Sequence, residues 1–299
     1  MTTRGEMETA GDMARTDRLL APTFWTAVCI VPVLTAAFVI LYLMPGRTKA
    51  LWAWEIKPDM SALVMGGGYI SGAYLFFRVA RDKRWHRVGV AFLGTTVFTT
   101  VLLGATVLHW DRFNHDHVSF WAWLALYVVT PPLLPWLWLR NRQTDPGTLE
   151  ERDVVVPRAL RTWVAIGGTG QLCVAAAMFL FPEDAADVWP WTVTPLTARS
   201  LSAYVAWPAV AWLAFAWEER WSCYRVALQT ATVGLVLVGL GALRARDDFT
   251  GSDRSVAFFV FALVTSIVLL IVLQVAMERR VRAQAGNVHT LDTVDGAES

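Results

Sequence analysis

Charged residues are scarce in this chain: Asp, Glu, Lys and Arg make up 17% of its 299 residues, whereas hydrophobic residues make up 55%. The mean hydropathy of +0.42 is too high for a soluble globular domain, which needs more charge to cover its surface. The 26 basic and 25 acidic residues nearly cancel, so no basic field would attract nucleic acid. The composition therefore predicts an integral membrane protein whose partner is the lipid bilayer, and it excludes nucleic acid.

Cysteine is also rare. The three cysteines, Cys29, Cys173 and Cys223, lie in or beside apolar stretches and show no C-x-x-C spacing. We therefore expect buried, unreactive thiols and no disulfide framework.

Charge is missing where ion-coupled transport would need it. No Asp, Glu, Lys or Arg falls near the centre of any long apolar run, although proton and ion relays usually place such groups there. No nucleophile and base stand in a recognisable pattern either. These absences disfavour an ion-driven pump, and they favour a non-enzymatic role.

Long apolar runs dominate the rest of the chain. Each is close to the roughly 20 residues that a helix needs to cross a bilayer, and none alternates as a barrel strand does. We expect the first run to be a retained span and not a cleaved signal peptide. The prediction is an all-α polytopic membrane protein with eight transmembrane helices, at 24–44, 60–77, 88–109, 118–139, 162–181, 201–217, 226–243 and 256–277.

The basic residues predict the orientation of these spans. If the N-terminus is cytoplasmic, the cytoplasmic segments hold 18 of the 26 Lys and Arg residues and the outer segments hold eight. The positive-inside rule then places both termini in the cytoplasm. The polar ends of the chain, residues 1–18 and about 283–299, contain no aromatic residue, so we expect them to be disordered.

A pattern of proline and tryptophan occurs twice, 137 positions apart: Pro45, Trp52, Trp54 and Pro58 recur as Pro182, Trp189, Trp191 and Pro195. Trp85 and Phe113 recur 136 positions later as Trp221 and Phe249. This predicts two parallel four-helix repeats (4+4) at 24–139 and 162–277. A connector at 140–161 joins them, and disordered cytoplasmic tails at 1–23 and 278–299 flank them.

The W-x-W segments lie in the predicted outer loops, where their tryptophans have two interpretations. Trp52, Trp54, Trp189 and Trp191 form an aromatic belt at the membrane surface, or they line a binding cavity between the two loops. Thr194 and Pro195 are typical of an N-cap and first helical residue at the start of the sixth span, and Lys57-Pro58 opens the second span less ideally. Arg199, one turn into the sixth helix, is either a candidate anion ligand or an arginine that reaches lipid phosphate.

The outer loop "HWDRFNHDH", residues 109–117, concentrates histidine and aspartate. Imidazole and carboxylate are ligands for zinc or copper, so His109 and Asp111 are candidate binding residues. The matching loop of the second repeat contains no histidine, and a solvated polar turn explains the composition equally simply. We therefore expect no bound metal and no cofactor.

The segments "WPWTVTPLTAR" and "HWDRF" resemble a pattern found in uncharacterised bacterial multi-pass membrane proteins. The resemblance implies a bacterial cytoplasmic membrane, and it implies no activity and no binding residue.

Three functions are compatible with this organisation. The parallel duplication and the paired outer loops favour a small-molecule or lipid transporter. Apolar spans without polar sites would also suit a structural, sensory or partner-binding membrane protein. A metal-dependent membrane enzyme would have to use the histidine loop. No residue pattern specifies a particular ligand or protein partner.

Overall fold

A computed structural model describes residues 16–295, with side chains up to residue 284. The described chain is all-helical and contains eight long helices. In chain order they are α1 (Ala21–Phe38, continued as a π-helix over Val39–Leu43), α2 (Asp59–Asp82), α3 (Gly89–Leu108), α4 (Val118–Asn141), α5 (Arg158–Leu180), α6 (Pro195–Ala214), α7 (Trp221–Arg244) and α8 (Asp253–Asp295).

Seven of these helices are long and apolar enough to cross a membrane, and the remaining one, α6, is not apolar enough. α6 carries Arg199, and Pro208 lies inside the helix. Its buried residues are mostly small, among them Ser200, Ser202 and Ala203. A helix that is surrounded by other helices does not need an apolar surface, because it faces little lipid. Hydropathy alone therefore does not decide whether α6 crosses the membrane, because it does not take the packing of this helix into account.

Two predicted boundaries differ from the structure. α1 begins at Ala21, inside the segment predicted as a tail at 1–23, because Pro22 suits the first turn of a helix. α8 continues to Asp295, so most of the C-terminal segment that we expected to be disordered is helical. The prediction of disorder for residues 1–15 lies outside the described residues.

The helices pack in a pattern that pairs the first half of the chain with the second. α1 packs on α2, and α5 packs on α6. The third helix of each half crosses over, because α3 packs on α6 and α7 packs on α2. α4 lies against α3, α8 lies against α7, and α2 also contacts α6. α2 and α6 therefore occupy the centre of the bundle.

A close approach brings the two central helices together. A Cβ atom added at Gly68 of α2 would lie 2.1 Å from a ring carbon of Tyr204 on α6. Any side chain at position 68 would push the tyrosine away. The glycine therefore lets α2 and α6 approach, as small residues commonly do between membrane helices.

The start of α6 agrees with the sequence, whereas the start of α2 does not. Thr194 is the N-cap of α6, where its hydroxyl accepts a hydrogen bond from the Thr197 amide at 3.2 Å, and Pro195 is the first helical residue. At α2 the N-cap position is Pro58 itself, which has no side-chain acceptor. The expectation for the cysteines was also wrong for two of them, since Cys29 and Cys173 lie exposed on the surface of the bundle and only Cys223 is buried.

Candidate functional site

The four loop tryptophans lie mostly inside the protein. Trp52, Trp54 and Trp191 are 7%, 4% and 1% exposed, and Trp189 is half-buried. A belt at the membrane surface would leave such rings in contact with lipid head groups. The loops instead turn their indoles inward, against other aromatic side chains.

In the first half of the chain, Trp54 packs in an edge-to-face arrangement on Phe113 and Trp123, with ring centroids 5.0 and 4.9 Å away. The amide of Asn114 donates to the Ala53 carbonyl at 2.8 Å. These contacts fasten the loop before α2 to the loop before α4. Edge-to-face aromatic pairs add roughly 0.5–1.5 kcal/mol each to the apolar burial of the rings.

The same contacts occur in the second half. Trp191 packs edge-to-face on Phe249 and Phe259, with centroids 5.6 and 5.3 Å away. The Gly251 amide donates to the Pro190 carbonyl at 3.0 Å. Each of these residues lies 136 or 137 positions after its counterpart in the first half.

The indole N–H groups differ between the halves. Trp191 Nε1 donates to Ser61 Oγ of α2 at 2.8 Å, whereas Trp54 Nε1 is buried without an acceptor among the described residues. The position 137 residues after Ser61 is Ala198, which has no hydroxyl group. The missing acceptor thus corresponds to a serine-to-alanine difference between the halves.

A wide-open cavity of about 500 Å³ lies at the bundle surface beside the ends of the two W-x-W segments. We call it the loop-end cavity; it is lined by Lys57, Pro58, Asp59, Thr192, Thr194 and Asp248. The four tryptophans do not line it, although their neighbours do. Its hydroxyl, ammonium and carboxylate groups can both donate and accept hydrogen bonds, which suits a small polar molecule.

The structure brings together two of the predicted site residues, Arg199 and His109. Arg199 Nη1 lies 2.7 Å from His109 Nε2, and Arg199 Nε donates to the Phe179 carbonyl at 3.0 Å. Burial lowers the pKa of His109, and the charges of Arg199 and Arg112 lower it further. A neutral imidazole can accept from the guanidinium, so the arginine is held by two uncharged partners.

The other polar residues of the histidine loop do not converge on Arg199 and His109. Asp111 is exposed, and His115 stacks on Trp110 with 5.0 Å between ring centroids. His117 Nδ1 accepts from the Ser119 amide at the start of α4. Among the described residues, the group of potential metal ligands that does converge lies elsewhere, and it consists of Asp17, His86 and Glu150.

This group of Asp17, His86 and Glu150 is better suited to hold a protonated His86 than a metal ion. The Asp17 carboxylate contacts His86 Nδ1 and accepts a hydrogen bond from the His86 backbone amide at 2.9 Å. Glu150 lies 3.1 Å from His86 Nε2. Burial lowers the pKa of His86, but the two carboxylates outweigh burial and raise it to about 9. A metal ligand must be a neutral imidazole. Arg87 also takes both oxygens of Glu150, at 2.9 and 2.7 Å.

Asp17 was not predicted as a site residue, because it lies in a segment that we expected to be disordered. Its counterpart 136 positions later is Asp153, which accepts from the Ser222 amide at 3.0 Å and from the Ser222 hydroxyl. Each aspartate therefore binds the residue that follows a repeated tryptophan, Trp85 or Trp221. The signal that could have found the pair was its spacing, the same as that of the tryptophans.

A second cavity, of about 420 Å³, lies at the opposite end of the bundle, where the connector runs. We call it the connector-end cavity. α3, the end of α4 and the end of α6 form its walls, with Leu93, Trp138, Val210 and Leu213 among the apolar side chains. His86, Arg142, Asp145 and Glu218 are its charged residues.

Tyrosine side chains fill the bundle between α2, α4 and α6. The hydroxyl oxygens of Tyr69 and Tyr127 are 2.8 Å apart, and both side chains are buried. Tyr204 packs edge-to-face on Tyr69, with 6.3 Å between ring centroids.

Comparison with protein families, with curated proteins and with solved structures finds no match to this chain.

Proposed function

We propose that the chain is a membrane transporter for a small molecule or a lipid, built from two parallel four-helix units, α1–α4 and α5–α8. The observation that carries the proposal is the position of the two cavities. The loop-end cavity reaches the N-cap of α6 at Thr194, and the connector-end cavity reaches the last turn of the same helix at Leu213 and Ala214. In alternating access, a binding site near the membrane midplane opens to one side at a time, and cavities at the two ends of a central helix would be its two entrances.

The equivalence of the units is supported by contacts that recur 136 or 137 positions apart. The loop tryptophans and their aromatic partners match, and so do Asp17 and Asp153 with the amides that they bind. The isolated backbone pairs Arg18 with Arg84 and Val155 with Arg220 also match at 137 and 136 positions. Four helices per unit is an even number, so both units have the same orientation in the bilayer.

The crossed packing would couple the two cavities. α3 of the first unit packs on α6 of the second, and α7 packs on α2. If one unit tilts against the other, the helices at the loop end and at the connector end therefore move together. This tilting motion would open one cavity as it closes the other.

The membrane and the orientation are part of the same proposal. The connector end carries most of the basic residues, so we place it and both termini in the cytoplasm. We also propose a bacterial cytoplasmic membrane, on the resemblance of the W-P-W segment to uncharacterised bacterial multi-pass proteins.

The test is whether the cavities are accessible in turn. Thr194→Cys and Ala214→Cys, combined in a variant without native cysteines, are exposed to a thiol reagent from both sides of the membrane. If access alternates, labelling one cysteine changes the labelling of the other, and the doubly labelled fraction departs from the product of the single fractions. Asp184→Cys with Thr148→Cys, both exposed outside the long helices at opposite ends, is the control pair. Independent labelling of the cavity pair would show a static protein and contradict transport.

A partner-binding role is the second candidate, and the length of α8 favours it. The apolar window of α8 is only 6% buried, and the helix continues past Gln284 to Asp295. If this extension binds a protein, ending the chain after Gln284 removes a co-purifying partner and leaves the melting temperature unchanged. Loss of stability without loss of a partner would argue against this role.

A further inference from the structure

Large polar side chains fill the contact between α2 and α7, which is the place that matches the connector-end cavity between α3 and α6. Tyr74 donates to the Gln229 side chain at 2.8 Å, and Arg78 bonds to Tyr74 and to Gln229. Arg78 also pairs with Asp82 at 2.7 Å. This network occupies the contact between α2 and α7.

The contact between α3 and α6 has small or apolar residues at the corresponding positions. The spacing is 137 positions at the starts of α2 and α6 and 136 at Trp85 and Trp221. Counted at 136 from the connector end, the residues that correspond to Tyr74, Arg78, Arg225 and Gln229 are Val210, Ala214, Gly89 and Leu93. All four of the smaller residues line the connector-end cavity. The cavity therefore exists because the large side chains at the contact of α2 with α7 have small or apolar counterparts at the contact of α3 with α6.

A carboxylate is missing from the first unit in the same way. In the second unit, Glu278 accepts from Trp221 Nε1 at 3.0 Å and pairs with Arg225 at 2.5 Å. The residue 136 positions before Glu278 is Arg142, and the residue before Arg225 by the same count is Gly89. An arginine thus stands where the other unit has its carboxylate.

Two donors consequently face the cavity without an acceptor. Trp85, the counterpart of Trp221, is 2% exposed and lines the cavity, and its Nε1 has no hydrogen-bond acceptor among residues 16–284. Arg142 lies over the ring of Trp138, with 5.2 Å to the centroid, and has no salt-bridge partner in the same range. An indole N–H and an arginine that line the same cavity are suited to an anionic oxygen.

We propose that the connector-end cavity binds a phospholipid, whose phosphate occupies the place that the Glu278 carboxylate holds in the second unit. Trp85 and Arg142 contact the phosphate, and the acyl chain lies against Leu93, Val210 and Leu213. The comparison rests on the proposed equivalence of the units, but lipid binding does not require transport.

The remaining charged residues of the cavity are already engaged within the protein. Arg220 donates to both carboxylate oxygens of Asp145, at 2.7 and 2.9 Å, and pairs with Glu218 at 2.7 Å. His86 is held by Asp17. Arg142 is therefore the charge that remains for a ligand. Trp217, at the edge of the cavity, is 81% exposed, so a lipid can enter from the side.

The experiment measures binding of phosphatidylglycerol to purified protein by native mass spectrometry, with inorganic phosphate as a second probe. Arg142→Gln should weaken phosphatidylglycerol binding about tenfold, because a charge-assisted contact is lost. Arg140→Gln is the matched control, since Arg140 stacks on Trp136 in the same helix but does not line the cavity. Ala214→Phe should weaken lipid binding by filling the apolar part.

Three results would overturn the proposal. The first is equal lipid binding by wild type and Arg142→Gln, and the second is an equal loss in Arg140→Gln. The third is a pair of results: inorganic phosphate binds through Arg142 without displacing phosphatidylglycerol, and Ala214→Phe leaves lipid binding unchanged. Melting temperatures of all variants identify any loss that comes from misfolding. Because binding is measured without transport, a static protein in the double-labelling test would leave this result unaffected.

Discussion

Trp54 and Trp191 occupy matching places, yet only one of the two indoles has a hydrogen-bond acceptor. Trp191 Nε1 and Ser61 Oγ are both buried, so each would be left unpaired if the other were removed. Trp54 Nε1 is already unpaired among the described residues. Burying a polar group without a partner costs more than a made hydrogen bond gains, which makes the two tryptophans unequal despite similar packing.

Trp191→Phe should therefore destabilise the protein by about 1–2 kcal/mol more than Trp54→Phe, because it orphans the Ser61 hydroxyl. The measurement is the free energy of unfolding of both variants and of Ser61→Ala. A double-mutant cycle of Trp191→Phe with Ser61→Ala should give a coupling of about 1 kcal/mol. Equal losses at Trp54 and Trp191, with no coupling to Ser61, would mean that only apolar burial holds these loops.

His86 joins three separate segments of the first unit. It contacts Asp17 before α1 and Glu150 in the connector, and the His86 ring lowers the pKa of Glu150. Ser222, 136 positions after His86, binds Asp153 through its amide and its hydroxyl. The histidine therefore adds a titrating contact that the second unit does not have.

The contribution of His86 to stability should disappear at high pH. Its folded pKa of about 9 exceeds the usual 6.5, so the stabilisation is complete below about pH 6.5 and is lost as the pH rises through about 9. The melting temperature of the wild type should fall between about pH 7 and pH 10 more steeply than that of His86→Asn. Parallel pH profiles of the two proteins would show that His86 does not carry the charge assigned to it.

At the scale of the helix, α2 and α6 are built differently from the helices around them. The apolar window of α2 is 67% buried inside the protein, against 6% for that of α8. Central helices need small residues where they cross, and Gly68 of α2 supplies the closest approach, to Tyr204. Peripheral helices need apolar surface for lipid instead, which explains their higher hydropathy.

Gly68→Ala should destabilise the protein by about 1–3 kcal/mol, because the added methyl group overlaps the Tyr204 ring. Gly170→Ala on α5 is the control, since no atom lies within 4 Å of the added Cβ. The control should be neutral or slightly stabilising, because alanine favours a helix by about 0.5–1 kcal/mol over glycine. Thermal unfolding in detergent measures both, and similar melting temperatures would contradict the close contact of α2 with α6.

For the whole molecule, the two ends of the bundle differ in the charges they carry. The connector end holds the ion pairs of Arg87 with Glu150 and of Arg220 with Asp145 and Glu218. Burial raises the pKa values of Asp145 and Glu218, but the hydrogen bonds from Arg220 outweigh it and lower them. These carboxylates therefore stay ionised, and arginine remains their partner.

The proposed orientation predicts which ends react with reagents outside the cell. Single cysteines at Asp184 and Asn114, both exposed at the loop end, should react with an impermeant thiol reagent in intact cells. A cysteine at Thr148 in the connector should react only after the membrane is opened. Thr148 is preferred to Gly147, whose φ of 69° would strain a cysteine. Reaction of Thr148→Cys in intact cells would reverse the orientation.

The helical class and the approximate position of each long helix could be predicted from the sequence, because a bilayer demands long apolar runs with internally paired backbones. The cap of α6 was also predictable, since Thr194 and Pro195 act within one turn. The candidate site was predictable only in part. Arg199 and His109 were both identified from the sequence, but nothing local indicated that α6 and the end of α3 would bring them within 2.7 Å.

What the sequence by itself determined is what depends on neighbours along the chain and on contact with lipid: helix, span length and cap. The tertiary structure alone decided which surfaces meet. It turned the loop tryptophans inward, and it placed Asp17 of an apparent tail against His86. It also left a cavity where Gly89, Val210 and Ala214 come together from α3 and α6. Such contacts join residues far apart in the chain, and their energies depend on the complementary shape and charge of both sides, which no single segment specifies.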